Sequence, residues 1–285
     1  MRYTVKDMRA QFPDDDVCLQ YLFNARYGGL KACPKCGVVS PKYYRVKKRM
    51  SFACKECGNH IYPLAGTIFE KTTTPLTDWF HALYLFSVSK NGVSAKEIER
   101  QVRVSYKTAH RMAKMIRVLM HESDKLGFLG TPVEVDETFI GGRRKQNSLK
   151  DRKTPVMAAL EVDGHVRTSV VLRANSEHAI PFLKANVHPG SLLHTDESKI
   201  YKHLRIKASY QLESVRHIAK EFVKDGVTTN HVEGFFGQVK RSLDGTYHSV
   251  SPYYLGSYFA EFAFRYNHRH QMIFQLLLAK AAPKA

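Results

Sequence analysis

Two Cys-x-x-Cys pairs constrain the possible folds of this chain more than any other sequence feature. Cys33 and Cys36 form the first pair, Cys54 and Cys57 form the second, and 17 residues separate the two pairs. Four thiolates at this spacing can hold one zinc ion in a tetrahedron, and the glycine after each pair permits the positive φ that a metal knuckle often requires. The sequence therefore predicts a structural Zn²⁺ site. Two surface redox pairs or a chance pattern are the alternatives.

The sequence between the cysteine pairs predicts a small β-hairpin, over residues 43–46 and 50–53, and hence a zinc ribbon. Basic and aromatic residues alternate along it, which suits phosphate neutralisation and base stacking, although a solvated charged hairpin would look similar. The basic residues predicted to bind DNA here are Lys42, Arg45, Lys47, Lys48 and Arg49. The remaining cysteine, Cys18, is predicted to be a small core residue rather than a ligand.

The charge of the chain indicates a polyanionic partner. Its 285 residues include 44 Lys and Arg against 26 Asp and Glu, a net charge of +18 with neutral histidines. Such a field attracts nucleic acid, whereas ordinary hydrophobic content excludes a disordered, collagen-like or disulfide-scaffold protein. The N-terminal residues contain no apolar run typical of a signal peptide, and no segment approaches the roughly 20 apolar residues of a membrane span. We therefore expect a cytoplasmic protein, nucleoid-associated when bound to DNA, without a membrane partner.

Residues 76–125 predict a helix-turn-helix. One amphipathic helix over 76–89 ends at an Asn-Gly pair, and Ser94 and Glu97 have the capping-box spacing that opens a short second helix. Ser105 is predicted to cap a longer basic helix that runs to about residue 120. Side chains in its first turns would meet base edges or phosphates; these are Tyr106, Lys107, His110 and Arg111. A plain helical hairpin that packs on the next domain is the alternative.

Residues 130–270 alternate strand-like and helix-like segments. Strands are predicted at 132–140, 155–162, 165–172 and 191–196, and helices at 176–186, at 229–243 and from Ser251-Pro252 onward. An Asp163-Gly164 hairpin turn joins the second and third strands. This order describes a ribonuclease H-like core. A basic loop after the first strand adds predicted DNA contacts at Arg143, Arg144 and Lys145.

Three acids occupy informative positions in this region. Asp136 lies within the first predicted strand, Asp196 at the end of a later strand, and Glu233 on a helix. Carboxylates that converge from two strands and a helix can hold two Mg²⁺ or Mn²⁺ ions about 3.5–4 Å apart, which activate water or a DNA 3′-hydroxyl. Lys240 follows Glu233 by seven residues, or two helical turns, so both project from one face, where the lysine could hold a phosphate.

Each of these acids also has a structural explanation. Asp196 could merely cap a turn, and Glu233 has the spacing to complete a capping box with Asn230. Other acids lie near enough in the sequence to compete as metal ligands. They are Glu134, Glu137 and Glu197.

The sequence resembles insertion-sequence DDE transposases of the zinc-ribbon, ISXO-type group (the IS fifteen-ninety-five family). The matching stretches span nearly the whole chain and are residues 33–57, 133–142, 194–201, 230–241 and 262–269. The resemblance implies that Asp136, Asp196 and Glu233 are a catalytic triad with Lys240 as its positively charged companion. It further implies recognition of the element's terminal inverted repeats, 3′-end cleavage and strand transfer into target DNA, without a covalent protein–DNA intermediate. Because two DNA ends must be paired, we expect a homo-oligomer in the DNA complex.

The expected architecture is α/β, with a ribonuclease H-like catalytic core preceded by a zinc ribbon and a helix-turn-helix. The predicted regions are an N-terminal segment with the ribbon (1–75), the helix-turn-helix (76–125), the catalytic domain (130–270) and a C-terminal tail (271–285). A domesticated transposase acting as a non-catalytic DNA-binding regulator is the alternative function, and a metal-dependent nuclease without strand transfer is another. The intact Asp136, Asp196, Glu233 and Lys240 favour an enzyme over the regulator, and joined products in a plasmid assay would distinguish the transposase from the nuclease.

Overall fold

The computed structural model of the chain describes residues 3–121, 127–141, 153–196, 198, 200–203, 206, 208–214, 223–224 and 227–284. The chain divides into two compact units. The first comprises Met1–Ser89, Val93–Leu119 and His270–Ala285, and the second comprises Lys90–Gly92 and Met120–Arg269. Among the described residues, no helix combines the length and the apolar character needed to cross a bilayer.

Helices and short strands make up both units. The helices are α1 (Val5–Gln11), α2 (Asp15–Tyr27), α3 (Leu76–Val88), α4 (Ala95–Val102), α5 (Tyr106–Met120), α6 (Ser176–Asn186), α7 (Asn230–Ser242), α8 (Pro252–Asn267) and α9 (Ile273–Ala281). The strands are β1 (Tyr43–Val46), β2 (Ser51–Cys54), β3 (His60–Ile61), β4 (Val133–Ile140), β5 (Thr154–Glu161), β6 (Val166–Val170), β7 (Leu192–Thr195), β8 (Gln211–Ser214), β9 (Val223–Lys224) and β10 (Val227–Thr228). A π-helical turn, Leu243–Tyr247, continues α7.

Helix α3 forms the centre of the first unit. Its buried residues, among them Trp79, Phe80 and Phe86, lie on one broad side of the helix, whereas Asp78 and His81 on the other side are only half-buried. Helices α1, α2, α4 and α9 pack against α3. The amphipathic helix predicted over 76–89 is therefore present, with a wide apolar side that supplies much of the core of this unit.

The C-terminal segment 271–285, which the sequence suggested to be a tail, contains α9. Phe274 packs against Tyr84 of α3 with ring centroids 5.9 Å apart, and Leu277 and Leu278 are buried. These apolar side chains explain why the segment groups with the first unit although it is distant in sequence.

Helices α4 and α5 have the serine caps that the sequence predicted, but the capping box predicted for α4 is only half formed, because the carboxylate of Glu97 accepts from Arg100 and Gln101. The Ser94 hydroxyl accepts the N–H of Glu97 at 3.1 Å, and the Ser105 hydroxyl accepts the N–H of Thr108 at 3.3 Å. Helix α4 ends at Arg103, whose φ of +59° reverses the chain before α5 begins. The short helix, the turn and the longer basic helix thus follow each other as expected.

The second unit contains a five-stranded mixed sheet with the order β6-β5-β4-β7-β8. Strands β4, β5 and β6 are antiparallel neighbours, whereas β7 pairs parallel with β4 and β8 pairs parallel with β7. The β5–β6 hairpin turns at Asp163, with a φ of +59°, and Gly164, as predicted. This core is ribonuclease H-like. Its three antiparallel strands are followed by a helix and then by parallel strands on the far side of β4.

Helices cover both faces of this sheet. Because side chains alternate along a strand, Val133 and Val135 of β4 join the cluster around α6, which includes Phe182 and Leu183. The opposite face packs against α7 and α8 through residues such as Val232, Phe236 and Phe259. Glu134 and Asp136 alternate with the two valines, so they point to the side of α7.

Candidate functional sites

Four cysteine sulfurs of the first unit converge on one point. The Sγ atoms of Cys33, Cys36, Cys54 and Cys57 lie within 4.8 Å of one another, and those of Cys33 and Cys57 are 3.8 Å apart. Zinc–sulfur distances of about 2.3 Å in a tetrahedron require sulfurs about 3.8 Å apart. The donor set therefore fits a single zinc ion, and the predicted four-cysteine metal site is confirmed.

The two knuckles have the local geometry that the glycines suggested. Gly37 and Gly58 have φ values of +72° and +69°, and each N–H returns to the carbonyl of the first cysteine of its pair, at 3.0 and 2.9 Å. Backbone N–H groups of Cys36 and Lys35 lower the pKa of Cys33 to about 6. Since the thiolate is the form that binds metal, these N–H groups favour the liganding state of Cys33, whereas burial and the other three cysteines raise the pKa of Cys36 to about 11.

Cys18 is a core residue, as predicted. It lies in α2 with no exposed surface and is not part of the four-cysteine group. Burial raises the pKa of its thiol to about 12, so the side chain behaves as a small apolar group.

The basic residues of the ribbon differ in what they contact. Strands β1 and β2 pair antiparallel, and β3 adds a third strand. Arg45 is occupied within the fold, because its guanidinium forms an ion pair with Asp16 of α2 at 2.9 Å and donates to the carbonyls of Val46 and Arg49. The other basic side chains predicted to bind DNA are exposed; they are Lys42, Lys47, Lys48 and Arg49.

Helix α5 presents a basic stripe to solvent. Lys107, His110 and Arg111 are exposed at successive turns, and the aromatic ring of Tyr106 is exposed at the start of the helix. Lys114, which was not among the predicted contacts, is also exposed and continues the stripe. It lies one helical turn after His110 and Arg111, on the same side of α5. The predicted contacts of the basic loop lie outside the described residues; these are Arg143, Arg144 and Lys145.

Asp136 lies in β4, and Asp196 directly follows β7, the strand that pairs parallel with β4. The register of the two strands sets Glu134 opposite His194, the last pair of this ladder. Asp136 and Asp196 each lie two residues beyond that pair. Because the two strands run in the same direction, both acids lie toward the same edge of the sheet.

Glu233 reaches the same region from the first turn of α7. The hydroxyl of Thr229 donates to Glu233 Oε1 at 2.9 Å. Thr229, rather than Asn230, is the N-cap residue of the helix, so the alternative capping box between Asn230 and Glu233 is not the arrangement found. The side of α7 that carries Glu233 also carries Lys240, and both residues are exposed, whereas Val232 and Val239 are buried.

The acids influence one another electrostatically. Burial raises the pKa of Asp136. The N–H of Glu137 opposes this effect by donating to Asp136 Oδ1 at 2.8 Å. The charges of Glu137, Asp196 and Glu233 raise the pKa further, to about 7. Like charges that influence one another in this way repel, and a hard divalent cation with oxygen ligands would relieve the repulsion.

The competing acids have partners of their own. Glu134 is fully buried and bonded to the start of α7. Glu137 points to the other face of β4 and accepts the hydroxyl of Tyr201 at 2.8 Å. Asp196 does cap a turn, since one oxygen accepts the N–H of Ser198 at 2.9 Å, but a carboxylate has enough acceptor capacity to cap and ligate at once. Glu197 lies outside the described residues.

Two parts of the chain match domains of known transposases. Residues 128–267 match the ISXO2-like transposase domain, and residues 13–60 match the transposase zinc-ribbon domain. An uncharacterized protein in transposable element ISH50 of Halobacterium salinarum is 27% identical over 232 residues, covering 74% of this chain and 77% of that protein. The crystal structure of the Mos1 Strand Transfer Complex matches with 11% identity and a TM-score of 0.25, over 72% of this chain and 78% of that one. Since the ribbon and the ribonuclease H-like core each match a domain of the same transposase group, the chain belongs to the zinc-ribbon, ISXO2-like family of insertion-sequence transposases.

Proposed function

We propose that this transposase-family protein binds the ends of its element and catalyses metal-dependent 3′-end cleavage and strand transfer with Asp136, Asp196 and Glu233. The observation that carries the proposal is the position of Asp136 on β4 and of Asp196 directly after β7, each two residues beyond the paired residues Glu134 and His194. The raised pKa of Asp136, to which the charges of Asp196 and Glu233 contribute, supports a cluster of all three acids.

Two Mg²⁺ or Mn²⁺ ions suit this cluster because hard cations prefer carboxylate oxygens. When bound, they would activate the attacking oxygen and stabilise the leaving oxygen of an in-line displacement. We assign Asp136, Asp196 and Glu233 as their ligands, and Lys240 as the residue that binds a nearby DNA phosphate. The exposed position of Lys240 on the same side of α7 as Glu233 supports this assignment.

The proposed reaction has two displacements at phosphorus. Water first attacks the scissile phosphodiester, and the bond to the 3′-oxygen of the element strand breaks, which leaves a 3′-hydroxyl on the element and a 5′-phosphate on the flanking DNA. The 3′-oxygen then loses its proton and attacks a target phosphodiester, whose own 3′-oxygen leaves and takes up a proton. No protein side chain becomes bonded to DNA in either step.

We assign DNA binding to the N-terminal half of the chain. The four-cysteine site would hold a structural Zn²⁺, and the exposed lysines and arginine of the ribbon together with the α5 stripe would neutralise phosphates. The basic loop with Arg143, Arg144 and Lys145 would add contacts from within the catalytic region 130–270. The partners are then terminal inverted repeats and target DNA, with a homo-oligomer that pairs two ends.

The decisive experiment incubates the purified protein with a labelled duplex from its own element's end, a target plasmid and Mg²⁺ or Mn²⁺. Asp136→Ala should bind the duplex like wild type but lose nearly all cleavage activity. The loss should exceed the roughly 10–100-fold that is typical when a residue that only supports a metal ligand is removed. Asp163→Asn, which changes an exposed acid in the β5–β6 turn, is the matched control and should cut normally.

Three results would contradict parts of this proposal. A wild type that binds but never cuts would indicate the DNA-binding regulator. Cut ends without joined products would indicate a nuclease that does not transfer strands. An Asp136→Ala variant that still cuts would remove Asp136 from the ligands.

A further inference from the structure

We infer that Glu134 is a positioning residue, whose buried carboxylate holds the first turn of α7 so that Glu233 faces Asp136. The inference rests on the proposed function, because the orientation of Glu233 matters to the reaction only if Glu233 is a metal ligand.

Both carboxylate oxygens of Glu134 are bonded to the start of α7. Oε2 accepts the backbone N–H groups of His231 and Val232, each at 2.9 Å, and Oε1 lies 2.7 Å from Nδ1 of the His231 ring. Glu134 itself has no exposed surface. A buried carboxylate with this many donors is bound firmly in one orientation.

Helix α7 depends on this carboxylate because its own cap is incomplete. The first N–H groups of a helix have no partner within the helix, and the N-cap residue, Thr229, makes no side-chain capping bond. Glu134 accepts from two of these groups across a separation of 97 and 98 residues. Its negative charge also lies at the positive end of the helix dipole. A neighbouring strand therefore completes a cap that the local sequence begins with the Thr228 hydroxyl, which accepts the N–H of Asn230 at 3.0 Å.

The same contact sets the distance between two proposed metal ligands. Glu134 and Asp136 are two residues apart and point to one face of β4, while His231 and Glu233 are two residues apart in the first turn of α7. Fixing Glu134 to His231 thus fixes Asp136 relative to Glu233. A shift of the helix along the strand would separate these two carboxylates.

Glu134→Gln tests this role with almost no change in shape. Glutamine keeps an acceptor oxygen for the two backbone N–H groups but removes the negative charge from the positive end of the helix, so these hydrogen bonds weaken and the first turn of α7 should loosen. We expect affinity for Mn²⁺ at the acid cluster to fall about 10–100-fold, the usual effect of losing an outer-shell partner. Zinc content and DNA binding should stay at wild-type values, because the ribbon and α5 belong to the first unit.

The matched control is Glu261→Gln. Glu261 of α8 is also fully buried and accepts bonds from Tyr247 and Arg265, but it does not cap α7. Mn²⁺ affinity is measured by calorimetry on the zinc-loaded full chain. Hydrogen exchange of the peptide covering residues 228–236 reports the first turn of α7 directly. Faster exchange there and weaker Mn²⁺ binding in Glu134→Gln, but not in Glu261→Gln, support the inference.

The remaining outcomes separate this inference from the proposed function. Suppose that the wild type binds Mn²⁺, that Asp136→Ala abolishes this binding and that Glu134→Gln leaves it intact. This result overturns the positioning role of Glu134 alone. Equal losses in Glu134→Gln and Glu261→Gln also overturn it, because they indicate general destabilisation. If Glu134→Gln fails to fold, His231→Ala takes its place and should show a smaller loss of the same kind; unchanged Mn²⁺ affinity in that variant refutes the inference. Failure of the wild type to bind Mn²⁺ overturns the proposed function and the inference together.

Discussion

Single residues of one chemical type have different roles in this protein according to the partners that surround them. Glu134, Asp136 and Glu137 lie within four consecutive positions of β4. The first caps a helix, the second has a pKa raised by burial and by the charges of other acids, and the third accepts a tyrosine hydroxyl. The basic residues of the ribbon show the same division. Arg45 is bonded within the fold, whereas Lys47 at the hairpin tip is exposed.

The Arg45→Ala variant should have a less stable ribbon, with little direct effect on its affinity for DNA. The substitution removes an ion pair with Asp16 and charged hydrogen bonds to hairpin carbonyls, and we expect a loss of about 1–3 kcal/mol in the free energy of unfolding. Denaturant unfolding of the zinc-loaded protein measures it. Lys47→Ala is the comparison and should leave stability unchanged while weakening DNA binding. An Arg45→Ala protein as stable as wild type but as weak in DNA binding as Lys47→Ala would instead make Arg45 a DNA contact.

At the scale of elements, α5 separates a packing side from a charged side. Ala109, Met112 and Ile116 are buried, while Lys107 and Arg111 are exposed on the opposite side. This separation gives the helix a surface that can follow a phosphate backbone without disturbing the core of the unit.

The double variant Lys107→Ala/Arg111→Ala should weaken binding to the element-end duplex and reduce the salt slope of log K by about 2, one unit for each lost phosphate contact. Titrations at several salt concentrations measure the slope. Lys6→Ala/Arg9→Ala removes the same charge from exposed positions of α1 and is the control. Equal slopes for the two double variants would show that net charge, rather than the α5 stripe, drives binding.

At the scale of the whole molecule, the two units have separate cores and separate metal requirements. The four cysteines lie in the first unit, and the acids lie in the second. Loss of zinc should therefore loosen one unit without melting the other.

Cys54→Ser tests this independence. Cys54 has no exposed surface and its sulfur belongs to the four-cysteine group, so the variant should lose zinc and bind DNA more weakly. Hydrogen exchange should rise across 30–61 and stay at wild-type levels across β4, β5 and α7. Unchanged zinc content by metal analysis would exclude Cys54 as a ligand, and a rise throughout β4 and β5 would show that the units unfold together.

The sequence by itself determined the features whose cause is local. Cysteine spacing with following glycines fixed the knuckles, Ser94 and Ser105 capped their helices, Pro252 began α8, and Asp163-Gly164 closed a hairpin. The acids could be named as candidates because strand and helix patterns located them on elements of a familiar order. Each of these signals acts over a few residues, so it can be recognised without knowledge of distant contacts.

Tertiary structure decided which acid does what, and which elements complete the core. No local pattern reveals that Glu134 caps a helix 97 residues later, that Arg45 is bonded to Asp16, or that residues 273–281 pack on α3. Strand β8 was also missed, since its polar Gln-Leu-Glu-Ser sequence becomes a strand only beside β7. The physical reason is common to all four. Burial and pairing with distant residues set the energy of each side chain and strand, and they exist only once the chain has folded.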